Sequence, residues 1–177
     1  MNIFYLSKNT KRCARYHCDK HCIKMILELT QLLYTCLWLC LDSNWINKAP
    51  LTKSGNKGYK KTHINHPCAI WVRESIENYR WLCKLGIDLC KEYTHRYGRI
   101  HACQKHIEFL QKQKPKIPEI KMTKVKQAMP DKYKCKSSKK AYRNYYINEK
   151  ARFCKWTNRN PPKWFIKKIS INITKAD

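Results

Sequence analysis

His17, His21, Lys24, Glu28 and Gln31 stand at offsets of 0, 4, 7, 11 and 14 along the chain. On a helix those offsets fall on one face. The residues around them, Met25, Ile26, Leu29, Leu32, Leu33 and Leu37, belong to a core. Glu28 is therefore expected against apolar packing, where an uncompensated carboxylate costs several kcal/mol. A carboxylate kept in such a place suits general acid–base work, because burial raises its pKa and a nearby cation lowers it again. The plainer reading of the same stripe is the solvated side of an amphipathic helix. Lys20 and Gln31 flank the stripe as candidate nucleic-acid contacts.

Two further constellations stand out. His63 and His66 precede Pro67 at the start of a helical pattern, with Arg73 and Arg80 further along it. Free backbone N–H groups at such an end suit a phosphate, although a plain cap explains the same residues. From Lys139 to Trp156 cations alternate with aromatics, including Arg143, Tyr146, Lys150 and Trp156. That alternation suits an unpaired base beside phosphates, while about half of the rings are needed for the core. Cys13, His17, Cys18, His21 and Cys22 raise the question of zinc. Cys18 and Cys22 point away from the two histidines on a helix, and no Cys-x-x-Cys pair completes a site, so no metal and no cofactor are expected. The zinc-deaminase signature, a phosphate-binding Gly-rich loop, Gly-x-Ser-x-Gly and His-Glu-x-x-His are all absent.

Positioning these groups requires helices. The pattern predicts a first helix from about Thr10 to Asp42 and a loop over 43–65. A second helix opens at Asn65-His66-Pro67 and runs to Tyr97, where Gly98 stops it. A third covers His101 to Lys112, and Lys114 to Pro130 reads as a Pro-punctuated basic connector. A last helix spans Ser138 to Trp156, before Asn160-Pro161-Pro162. The expected fold is all-α, a compact single-domain bundle of about four helices with long basic loops. It covers 1–165 and leaves a short tail over 166–177, in which Ile-Ser-Ile-Asn-Ile pairs as a short strand or frays.

The chain of 177 residues carries 38 Lys and Arg against 12 Asp and Glu, a net charge of +26. Self-repulsion on that scale calls for an anionic partner, nucleic acid first and an anionic membrane surface second. A Lys-rich coding bias is the bland explanation. With 43% hydrophobic and 12% aromatic residues a real core can form, and only four glycines disfavour sandwiches and Gly-rich nucleotide folds. No run of eighteen uninterrupted apolar residues predicts a membrane span, and the polar start does not resemble a secretory signal. Eleven cysteines without that signal read as free thiols in a reducing, intracellular setting. The host cytoplasm or nucleus, or the virion of a DNA virus or phage, would provide it.

Asp19-x-His21 followed by Glu28-Leu29 resembles the catalytic helix of the pyrimidine-dimer DNA glycosylases of the phage endonuclease V type. His66-Pro67, Trp71, Leu82 and the basic stop Arg96-Tyr97-Gly98 are similar to that family's middle helix. Pro162-Lys-Trp164 resembles its aromatic C-terminal end. Segments such as Tyr-His-Cys-Asp-Lys-His and Asn-His-Pro-Cys-Ala-Ile-Trp also look like small proteins of phages and large DNA viruses. Each match is short, but together they span most of the chain.

The resemblance implies an all-α enzyme that flips a nucleotide out of duplex DNA and cleaves its glycosidic bond. Glu28 would match the glutamate that stabilises the oxocarbenium-like sugar and aids elimination, and His21 a DNA-contacting histidine. The family's nucleophile is an N-terminal amine exposed by loss of Met1. Asn2 is large for that removal, so the amine of Met1 itself, Lys24 or Lys20 as a Schiff-base former, and water all remain candidates. Leu27 and Gln31 stand where the family carries basic residues. The expected function is thus a DNA glycosylase, with or without AP-lyase activity, acting on damaged or modified pyrimidines. The expected partner is DNA, without a membrane or an obligatory protein partner. The alternatives are a non-catalytic basic nucleic-acid-binding or DNA-packaging protein and a zinc-stabilised interaction module.

Overall fold

The computed structural model describes residues 2–167 and is helical. Its helices are α1 (Thr10–Tyr16), α2 (Asp19–Cys40), α3 (Pro67–Glu74), α4 (Ile76–Tyr97), α5 (Gln104–Gln111) and α6 (Ser138–Lys150). Short 3-10 turns add Ser43–Lys48, Asp131–Tyr133 and Ala151–Phe153. Where about four helices were expected, six α-helices are bounded among the described residues and 163–167 are helical as well, because two long patterns are each broken once. The first breaks at His17, which is extended (φ −65°, ψ 132°), so that Cys18 can start α2. The freed Cys18 N–H donates to Tyr146 Oη at 2.8 Å, which satisfies the break from a distant helix. The second breaks at Ser75 (φ −157°, ψ 142°), whose hydroxyl accepts from Glu77 N–H and donates to the Ile120 carbonyl. Ile76 N–H reaches Pro118 O at 2.9 Å, so the 114–130 connector docks into that gap. Val125 in the same connector is buried.

The other boundaries are close to those predicted. Pro67 opens α3, and Gly98 ends α4 in the left-handed region at φ 66°, where a Cβ would be strained. The last helix stops at Lys150 rather than Trp156. Of the predicted tail, 168–177 lies outside the described residues.

α2 and α4 cross at the centre. Leu29, Leu33 and Leu37 from α2 and Leu82, Leu85 and Leu89 from α4 are almost fully buried. At 25–30 cal/mol per Å², burying each such leucine is worth about 2 kcal/mol. The close approach needs Gly86, because a Cβ there would come within 2.7 Å of Leu29 Cδ1. α2 is long and apolar enough to cross a membrane by length and composition, yet most of that stretch is buried inside the bundle.

A buried ionic cluster fixes the N-terminal end of α2. The Arg96 side chain is fully buried and bonds Asp19 and Glu92, each at 2.9 Å. Arg159 closes a second fork on Glu92, and Thr157 donates to Asp19 from both its N–H and its hydroxyl. Paired charges of this kind are tolerated inside only as a complete set.

Candidate active site

Glu28 lies on α2 two turns beyond His21, with its side chain 14% exposed. Asn2 N–H donates to Glu28 Oε2 at 3.0 Å. On the other oxygen, Lys24 Nζ stands at 3.4 Å from Glu28 Oε1. The carboxylate therefore has one nitrogen on each oxygen. Asn2 is itself held: its amide donates to Ala128 O at 2.8 Å, and its Oδ1 accepts from Tyr142 Oη at 2.9 Å. The Cys68 thiol, one residue into α3, also faces that Oδ1 at 3.9 Å. Lys24, by contrast, is 69% exposed and free to swing. α2, α3, α6 and the connector thus converge on one backbone nitrogen beside one carboxylate.

The two imidazoles of the predicted stripe turn inward. His17 is buried at the α1–α2 break, and its Nδ1 pairs with Cys13 O at 2.8 Å, which makes that nitrogen the donor. His21 stacks on Phe4 at 4.4 Å and meets Tyr146 Oη at 2.9 Å through Nδ1. The same hydroxyl accepts from Cys18 N–H, so Tyr146 ties the start of α2 and the His21 ring to α6. Burial holds both rings neutral, pushing His17 down to about 4 and His21 down to about 3. The one-face expectation fails for His17 because the helix starts after it. His21 keeps its place on the face of Glu28 along α2, with its ring covered by Phe4 and Tyr146.

The predicted nucleic-acid contacts divide. Lys20 is exposed, with its ammonium 5.2 Å over the Phe153 ring, and Gln31 is half-buried further along α2. His63, at φ 50°, pairs through Nδ1 with Thr62 Oγ1, and Thr62 is tied to α2 through Thr35. His66 caps α3 by accepting from Cys68 N–H at 3.1 Å, and Glu28 acts on its ring electrostatically. Of these residues, His66 stands near Glu28. Arg73 donates to Ile64 O and Arg80 pairs with Glu77, so both serve local structure. Arg143 donates to Leu6 O and lies over the Tyr16 and Trp164 rings. Tyr146 and Trp156 are buried, and Lys150 lies over the Tyr145 ring. The third constellation is thus largely core and packing, because α6 has few other apolar residues to bury. Met1 lies outside the described residues.

Asn2, Tyr142 and Cys68 were not legible as site residues. The Asn-His-Pro-Cys run does place Cys68 next to a helix start, but nothing in the sequence brings Asn2 or Tyr142 to it. No group of three His, Cys, Asp or Glu side chains that could hold a metal occurs among the described residues.

A family model described as pyrimidine dimer DNA glycosylase matches residues 1–108, the segment that carries Asn2, α2, α3, α4 and most of α5. No curated protein and no solved structure matches the chain.

Proposed function

Because the chain belongs to the pyrimidine dimer DNA glycosylase family, we propose that it excises damaged pyrimidines from DNA, with Glu28 and the nitrogen of Asn2 as its catalytic pair. The family implies a DNA substrate, and the net charge of +26 supplies attraction to its phosphates. The observation that carries the reading is the 3.0 Å contact between Asn2 N and Glu28 Oε2. That nitrogen becomes a primary amine when Met1 is removed, and it is the better-held of the two nitrogens on the carboxylate.

In this reading the damaged nucleotide is turned out of the duplex, at a cost of a few kcal/mol that phosphate contacts offset. The Asn2 amine attacks C1′ of the sugar. The C1′–N1 bond breaks, its electron pair leaves with the base, and the base takes up a proton. Glu28 stabilises the positive charge that builds on the sugar ring. The C1′–O4′ bond then breaks, the amine's proton passes to O4′, and an imine is left between Asn2 and C1′. In the lyase step a base removes a C2′ proton, the C3′–O3′ bond breaks and the 3′ phosphate departs. Water then hydrolyses the imine and restores the amine. Glu28, already on that nitrogen, is placed to carry both protons.

Borohydride trapping on a duplex containing a pyrimidine dimer or an abasic site tests the reading, with peptide mapping of the adduct. The expected result is a covalent adduct on the N-terminal peptide of a protein whose intact mass lacks Met1. Glu28→Gln should lower cleavage about a thousandfold, while Lys24→Arg keeps trapping. An adduct on Lys24, or full cleavage by Glu28→Gln, overturns the assignment.

A further inference from the structure

Away from Glu28, two adjoining clefts of about 520 and 460 Å³ share Lys8 and Lys139 as walls. Arg12 and Lys84 line the first, and Lys124 and Lys136 the second. No acidic residue lines either cleft, and none of these six cations forms an ion pair among the described residues. The cleft beside Lys11, Arg15 and Arg159 is different, since Asp88 and Glu92 stand in it. The walls are built. Trp81 donates from Nε1 to Lys8 O at 3.0 Å and packs its ring against Tyr5 at 5.3 Å. Ser138 Oγ ties the start of α6 to Val125 O at 2.6 Å.

The Lys84 wall of the first cleft faces away from α2, the helix that carries Glu28. Gly86 faces Leu29 of α2, with no room for a side chain between them. Lys84 precedes Gly86 by two residues, about 200° round the helix, so it points away from α2. That outer side is where α1 packs on α4.

Six uncompensated cations along a trough exceed what one small anion can neutralise. They match a polymer of evenly spaced charges, and the Tyr5–Trp81 pair adds an aromatic wall. The exposed large hydrophobics, such as Ile23, Leu27, Leu51 and Ile100, lie elsewhere, so the groove has nothing to insert into a lipid surface. We propose that this groove is a second nucleic-acid site, holding the phosphodiester backbone of a DNA segment other than the one at Glu28. The protein then bridges two segments. This inference stands on the groove alone and does not need the glycosylase reading.

The test is the triple variant Lys8→Gln/Lys84→Gln/Lys139→Gln, confirmed folded by an unchanged unfolding midpoint. Protein saturated on an immobilised undamaged duplex is offered a second, fluorescent duplex. The native protein and Glu28→Gln are expected to capture it, and the triple variant to lose that capture. The slope of log affinity against log salt should fall by about 2–3 for the triple variant, near 0.9 per lost phosphate contact. Its cleavage of a short dimer-containing duplex at low salt should remain. Absent co-capture by the native protein, or an unchanged slope and capture in the triple variant, overturns the proposal. So does lost cleavage, which would make the groove part of the catalytic face. Tight binding to phosphatidylserine vesicles without duplex co-capture does the same. A native protein that captures the second duplex but cleaves nothing leaves the groove standing and removes the catalytic reading.

Discussion

Lowering the pH from 7.5 to 5 is expected to remove about 6 kcal/mol of folding stability, through three buried histidines. His17, His21 and His106 are each buried, and burial holds each neutral by pushing its pKa down to about 4, 3 and 4 respectively. The Nδ1 of His21 pairs with Tyr146 Oη at 2.9 Å, and that of His106 with Tyr34 Oη at 2.8 Å. In the unfolded chain the same rings titrate near 6.5. The folded pKa lies below the unfolded one, so the stability is complete above about pH 6.5. It declines as the pH falls toward 4, while the unfolded chain takes up protons that the fold refuses. At pH 5 the linkage comes to about 2 kcal/mol per ring, or about 6 for the three, against a typical total of about 5–15. Carboxylates held low by partners, such as Glu92 between Arg159 and Arg96, add their loss only at lower pH. Urea unfolding at the two pH values measures the difference. His106→Gln isolates one share: it should be less stable at pH 7.5, yet show a pH difference smaller by about 2 kcal/mol. A total change under about 2 kcal/mol would refute the reasoning, because at least two rings would then be able to hold a proton inside the fold.

Arg96→Leu leaves Asp19 and Glu92 without their buried partner and should cost about 3–5 kcal/mol, read as a lower midpoint in thermal unfolding. Tyr146→Phe removes the acceptor of Cys18 N–H and the hydrogen-bond partner of His21 and should cost about 1–3 kcal/mol. Cleavage should fall less than in Glu28→Gln, since Tyr146 does not touch the carboxylate. Among the eleven free cysteines, Cys135 is exposed, Cys40 and Cys154 are half-buried and the others are buried. A thiol reagent under native conditions should therefore label Cys135 first, and mass spectrometry of the digest would show a different order if the bundle were loosely packed.

The helical class, the charge and the candidacy of Glu28 could be read from the chain without coordinates. These are local or additive properties: a 3.6-residue apolar period, an excess of 26 positive charges, and a carboxylate set among leucines. Pro67 and Gly98 marked helix ends because each acts on its own backbone. The sequence did not reveal the breaks at His17 and Ser75, since the partners that satisfy them, Tyr146 and the 118–121 stretch, are remote in the chain. For the same reason His21 looked available until Phe4 and Tyr146 were seen to cover it. Tertiary packing alone placed the nitrogen of Asn2 on Glu28 across 26 positions and gathered Lys8, Lys84 and Lys139 around one cleft. Contacts of that kind depend on which helix faces pack together, and the periodicity of any one helix leaves that choice open.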